Sequence, residues 1–182
     1  MKKIVLLTLV SVLIALGASW VRAAEGPTLM EQIQERNKII SEATKLIEKD
    51  KKNAEAYYAR GSAHFQLGQL YIIIYGPSYS KDQNRTIKAE FEAAVADLTV
   101  AINLKEDLLG AYITRGMAYG QMKLSAAAIA DFSHVISVDP KNAGAYYVRG
   151  REYWANGDYV KAKEDYDTAV ELDPQWKDNF YK

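Results

Sequence analysis

The side chains best suited to chemistry are three arginines and three aspartates that recur in step: Arg60, Arg115 and Arg149, and Asp97, Asp131 and Asp165. A guanidinium is a planar fork that can hold a carboxylate at two points. Two chemistries follow. Either the arginines form a row of cations for an anionic ligand, or each pairs with an aspartate inside a helical hairpin or across to its neighbour. Pairing is favoured, because a ligand contact need not repeat in every unit. If the pairs are structural, exchanging Arg115 and Asp131 together for apolar residues is tolerated better than either exchange alone. The two histidines, His64 and His134, stand in no ligand spacing and read as structural or exposed. No glycine-rich phosphate loop, zinc motif or nucleophile elbow is present. The absence of cysteine excludes disulfides, thiolate metal sites and cysteine nucleophiles. The chain reads as a non-enzyme, with no catalytic residue, metal or cofactor.

The elements that carry these residues repeat. Segments 109–142 and 143–176 align without a gap at a spacing of 34. Tyr112, Arg115, Gly116, Tyr119, Ala128, Asp131, Phe132 and Pro140 match Tyr146, Arg149, Gly150, Tyr153, Ala162, Asp165, Tyr166 and Pro174. A third copy, 54–108, is split. Its front half (Tyr57, Arg60, Gly61, His64) precedes its counterpart by 55 residues, and its back half (Ala94, Asp97, Leu98) by 34, so 21 residues are inserted near 69–89. Leu46-Ile47 and Asn53 to Tyr57 repeat the pattern of Val135-Ile136 and Asn142 to Tyr146, as the second helix of a preceding half unit would.

Each copy reads as two helices. Tyr146, Gly150 and Tyr153 share one helical face, and Ala162, Tyr166, Ala169 and Val170 share another. Gly157-Asp158 marks the turn between them, and Asp139-Pro140 and Asp173-Pro174 mark the ends. Gly61, Gly116 and Gly150 lie inside helices, where glycine costs about 1 kcal/mol against alanine. Close approach of the partner helix, with Ala94, Ala128 and Ala162 opposite, is the expected compensation. A capping-box spacing at Thr28 and Glu31 predicts a helix over 29–50.

This pattern resembles the tetratricopeptide repeat family over residues 29–176. Three departures are Lys123 at a turn glycine, Ser125 in the place of Tyr159, and Glu106 at a closing proline. The resemblance implies an all-α fold of stacked antiparallel helix pairs in a right-handed superhelix, with a concave groove lined by the first helix of each pair. It then selects Tyr58, Ser62 and Phe65, then Ile113, Thr114, Met117 and Gln121, then Tyr147, Arg151 and Trp154 as groove residues. Such a surface suits an extended or helical apolar peptide. Packing of Tyr58 and Tyr147 against neighbouring helices is the competing reading.

The insertion carries Tyr71, Ile72, Ile73, Ile74, Tyr75 and, past Gly76-Pro77, Tyr79. Its length fits about two extra turns on each helix plus a short loop. It reads as a docking or self-association surface, or as a segment folded back over the stack. At the far end Trp176, Phe180 and Tyr181 either cover the last hairpin or leave an open face, with residues 177–182 as a tail.

Lys2-Lys3, the apolar run from Ile4 to Ala18 and Val21-Arg22-Ala23 read as a secretory signal peptide over 1–23, with an uncleaved anchor as the alternative. The folded domain, 24–182, is then exported, to a bacterial periplasm or beyond. The full chain has 23 basic and 23 acidic residues, and removing the three bases of the signal leaves a mildly acidic domain. Nucleic acid is therefore not the expected partner. Nor is membrane insertion beyond the signal. The reading is a protein- or peptide-binding scaffold of the envelope. The alternatives are a self-associating homo-oligomer and a binder of glycan or peptidoglycan through aromatic faces.

Overall fold

The computed structural model describes residues 26–177. The signal reading over 1–23 lies outside them, as do Phe180 and Tyr181. Seven α-helices and one 3-10 turn are present among the described residues, with no strand. By contacts the chain divides after Glu35. In the first unit, the Thr28 hydroxyl accepts from Glu31 N (3.2 Å), and Glu31 Oε2 accepts from Thr28 N (2.9 Å). This box opens helix α1, Leu29–Lys49.

In the second unit, α1 is followed by three helical hairpins: α2 (Ala54–Tyr75) with α3 (Lys81–Leu104), α4 (Leu109–Gln121) with α5 (Ser125–Val138), and α6 (Ala143–Ala155) with α7 (Tyr159–Leu172). Pro174–Trp176 forms the 3-10 turn. Asn53, Asn142 and Asp158 cap α2, α6 and α7 through their side-chain oxygens, and Ser80 with Gln83 forms a capping box on α3. α4 and α5 start at Leu108 and Leu124, which supply no cap.

The close approach at the helical glycines is visible. A methyl group at Gly61 would come within 2.8 Å of Leu98 Cγ and 3.1 Å of the Ala94 carbonyl oxygen, and one at Gly116 within 2.7 Å of the Phe132 ring. The contact at Gly116 is thus an aromatic face, with Ala128 fully buried alongside.

The insertion lengthens one hairpin. α2 has 22 residues against 13 in α4, α3 has 24 against 14 in α5, and the turn has five residues against three, which accounts for the 21. The extension is therefore about two and a half turns on each side. Gly68 stands where Lys123 and Gly157 make turns, yet the helix runs through it and the Phe91 ring packs on its bare Cα. Ile87 and Phe91 are buried beneath Tyr71, Ile72 and Tyr75, and the two tyrosines stack at 5.7 Å. Ile73 (62%), Ile74 (42%) and Tyr79 (40%) remain exposed. Lys123 takes φ 60, where the matching turn uses Gly157 at φ 85. Left-handed backbone costs a residue with a Cβ about 1 kcal/mol.

Candidate functional site

The repeated charges lie within the stack. Asp131 takes two bonds from Arg115, from Nε (2.9 Å) and Nη2 (2.7 Å). Asp97 takes the same pair from Arg60, and Asp165 from Arg149, all at 2.7–2.8 Å. The three aspartates are buried. Hydrogen bonding to the aspartate holds each guanidinium above its ordinary pKa, against a desolvation that lowers it.

Each third arginine nitrogen reaches back one helix. Nη1 donates to Thr44 Oγ1 from Arg60 (3.2 Å), to Thr99 Oγ1 from Arg115 (3.1 Å) and to Ser133 Oγ from Arg149 (3.0 Å). One side chain thereby ties three helices. Among the described residues, tyrosine rings cover the guanidinium at 5.6–5.9 Å: Tyr112 and Tyr119 for Arg115, Tyr146 and Tyr153 for Arg149, and Tyr57 alone for Arg60. In the first hairpin His64 replaces the second tyrosine, and its Nδ1 lies 2.7 Å from Glu90 Oε2 on the extension of α3. His134 stacks on Tyr112 with centroids 4.0 Å apart.

The hydroxyl column had a sequence signal. Thr44, Thr99 and Ser133 obey the same spacings of 55 and 34, and Ile40, Val95 and Ile129 stand one turn before them on the same helical face. On the last helix these two positions are Lys163 and Asp167, which form an ion pair. The polar pair ends the apolar pattern at the outer face of α7, as a terminal repeat requires for solubility.

The proposed groove residues divide. Phe65 is 5% exposed and packs on Phe91 at 5.8 Å, so it belongs to the core of the long hairpin and not to a groove. The sequence register missed this because the extended α3 brings Phe91 opposite. Tyr147 (9% exposed) lies under Trp176, with ring centroids 4.4 Å apart. Tyr58 lies over the start of α4, where a methyl at Gly110 would meet its Oη at 2.7 Å. The Thr114 hydroxyl donates to the Gly110 carbonyl (2.9 Å). The Ser62 hydroxyl is buried without a hydrogen-bond partner among the described residues. Ile113 and Met117 are half-buried, Gln121 and Arg151 are exposed, and Trp154 is 45% exposed with its ring edge-on to Tyr159.

Beside these residues a cavity of about 850 Å³ opens between the α4–α5 turn and α6, lined by Met117, Gly120, Leu124, Phe132, Val148 and Arg151 among others. It falls within the range of small-ligand clefts, about 300–1,000 Å³.

Tetratricopeptide repeat profiles match residues 109–142 and 143–176, and their boundaries coincide with the two shorter hairpins and the loops that follow them. The chain belongs to the tetratricopeptide repeat family. Among solved structures, this tetratricopeptide chain is similar to a double mutant of MamA from Desulfovibrio magneticus RS-1. The TM-score is 0.60 at 19% identity, over 80% of this chain and 77% of that one. It is also similar to TTC0263, a thermophilic tetratricopeptide protein of Thermus thermophilus, with a TM-score of 0.51 at 12% identity over 81% and 93%. At these identities the likeness establishes the fold: an all-α tetratricopeptide-type superhelix. No curated protein matches the sequence significantly. No helix among the described residues is long and apolar enough to cross a membrane.

Proposed function

We propose that this tetratricopeptide chain is an interaction module of the bacterial envelope that holds a segment of another exported protein. The observation that carries the reading is a separation of residues. Those that repeat in every unit, the arginines and aspartates, are bonded to one another inside the stack. Those that differ from unit to unit lie on the first helices: Ile113, Met117 and Gln121, then Arg151 and Trp154. A scaffold is held by what repeats, and a ligand is chosen by what does not. Crosslinked capture from an envelope extract tests it. A partner that binds the wild type should be lost with Ile113→Glu/Trp154→Ala and kept with Lys163→Ala on the outer face. Equal loss from both variants would remove the groove from the account.

A second reading, self-association, is supported by the exposed Ile73, Ile74 and Tyr79 at the tip of the long hairpin. Size that rises with concentration, and stops rising in Ile73→Ser/Ile74→Ser, would favour it over the groove.

A further inference from the structure

The tip of the long hairpin has features that the groove reading does not use. α2 and α4 each begin six residues before their clamp arginine, so the nine residues by which α2 is longer lie at its turn end. At 1.5 Å per residue they carry the tip about 13 Å beyond the α4–α5 turn. Ile73, Ile74 and Tyr79 are exposed there, and the stacked Tyr71 and Tyr75 lie half-buried behind them. Lys81, Arg85 and Lys88 follow at i, i+4 and i+7, on one exposed face of α3. Residues 69–89 hold three bases against one acid, Asp82, whereas the rest of the domain from residue 24 holds 17 bases against 22 acids. Asp82 meets Arg85 at 3.6 Å and Glu92 meets Lys88 at 3.0 Å, but all four side chains are more than half exposed, where such pairs hold weakly. The tip is thus a projecting apolar point with a basic collar, on a domain that is otherwise acidic.

We infer that this tip docks on an anionic lipid surface. Ile73, Ile74 and Tyr79 enter the headgroup layer, where tyrosine is at home, and Lys81, Arg85 and Lys88 face lipid phosphates. No helix among the described residues is long and apolar enough to cross a membrane, and the contact is shallow. A second tip is a poorer occupant, because it would bring two basic collars together. The three exposed side chains also offer only a few hundred Å², against roughly 800 Å² per partner in a stable protein interface. A lipid surface needs no matching hollow and accepts a convex point. The inference goes beyond the groove reading and does not rest on it.

The chain has no cysteine, so Ser78→Cys takes an environment-sensitive dye at the tip alone, and Lys141→Cys takes it on the loop between α5 and α6. The apolar run from Ile4 to Ala18 brings its own affinity for lipid, so the readout is the local dye signal in the full chain and not pelleting. With vesicles of phosphatidylethanolamine and phosphatidylglycerol, the dye at Ser78→Cys should shift to the blue, and the dye at Lys141→Cys should not. The lipid concentration giving half the shift should rise on the order of tenfold or more in Ile73→Ser/Ile74→Ser and in Lys81→Glu/Arg85→Glu, and should rise with added salt. Lys51→Glu/Lys52→Glu makes the same change in net charge elsewhere and should have little effect. All the replaced side chains are exposed, so each variant should fold. No shift with these vesicles, an equal shift with phosphatidylcholine vesicles, or a shift indifferent to the tip substitutions overturns the inference. A shift that grows with protein concentration in the absence of lipid would put a second copy on the tip and overturn it equally.

Discussion

The first hairpin and the two that follow share one clamp and differ in almost everything that surrounds it. In all three, an arginine holds an aspartate by two bonds and a hydroxyl on the preceding helix by a third. Around Arg115 and Arg149 the clamp lies between two tyrosines. Around Arg60 one tyrosine has become His64, which turns to Glu90 on the extension. Above the clamp, the long hairpin fills its own interior with Phe65, Ile87 and Phe91, while at Gly120 the second hairpin receives the Glu152 carboxylate of the third. The clamp sets how helices are joined, and the positions above it are free to become a projecting tip in one hairpin and a polar contact with the next hairpin in another.

The largest effect expected is on the clamp. Arg115→Met or Asp131→Leu alone strands a buried charge and should cost about 3–5 kcal/mol in urea unfolding, with the double exchange losing less than either. Arg60→Met should cost less than Arg115→Met, because its side chain is more exposed (22% against 15%) and one ring fewer covers it. Equal losses would mean that the tyrosines contribute nothing.

Next comes the interior of the extension. Phe91→Ala should cost about 3–5 kcal/mol, as aromatic truncations in cores do. It should raise hydrogen exchange in 65–91 far more than in α6 and α7. A uniform rise would show that the long hairpin has no interior of its own.

The turns give a smaller and signed contrast. Lys123→Gly should stabilise by about 0.5–1 kcal/mol, relief of the left-handed strain being partly offset by added freedom in the unfolded chain. Gly157→Lys should destabilise by a similar amount. A loss from Lys123→Gly would mean that the lysine side chain holds the turn.

The smallest effect is at alkaline pH. Burial raises the Tyr71 phenol above its ordinary pKa, and the Glu90 carboxylate and Tyr75 push it the same way. The folded state therefore holds that proton more tightly than the unfolded one. The contribution is complete below the unfolded pKa of about 10 and is lost as pH rises through the raised folded value. Tyr71→Phe should lose less stability than the wild type between about pH 9 and 11. Parallel losses would place the titration elsewhere.

Much of the fold was legible because its signals are local or periodic. Thr28 with Glu31, the 34-residue columns and the 21-residue offset can all be read off one strand of letters. What was not legible depends on which helix lies behind which. The Thr44, Thr99 and Ser133 column was in plain sight, but a hydroxyl gains meaning only when the helix bearing the next arginine is placed beside it. Phe65 falls in groove register, and only the length of α3 reveals that Phe91 covers it. Tyr147 looks like a ligand face until Trp176 lies on it. The contact at Gly120 is the hardest case, since it is made by an absent side chain and by Glu152 reaching in from the next hairpin.

Amide hydrogen exchange on the free and partner-loaded chain tests the central claim most directly. The account predicts new protection along α4 and α6, strongest over 113–121 and 148–156, with α5 and α7 unchanged. Protection confined to the tip around 72–80, or to the outer face of α7, would contradict it.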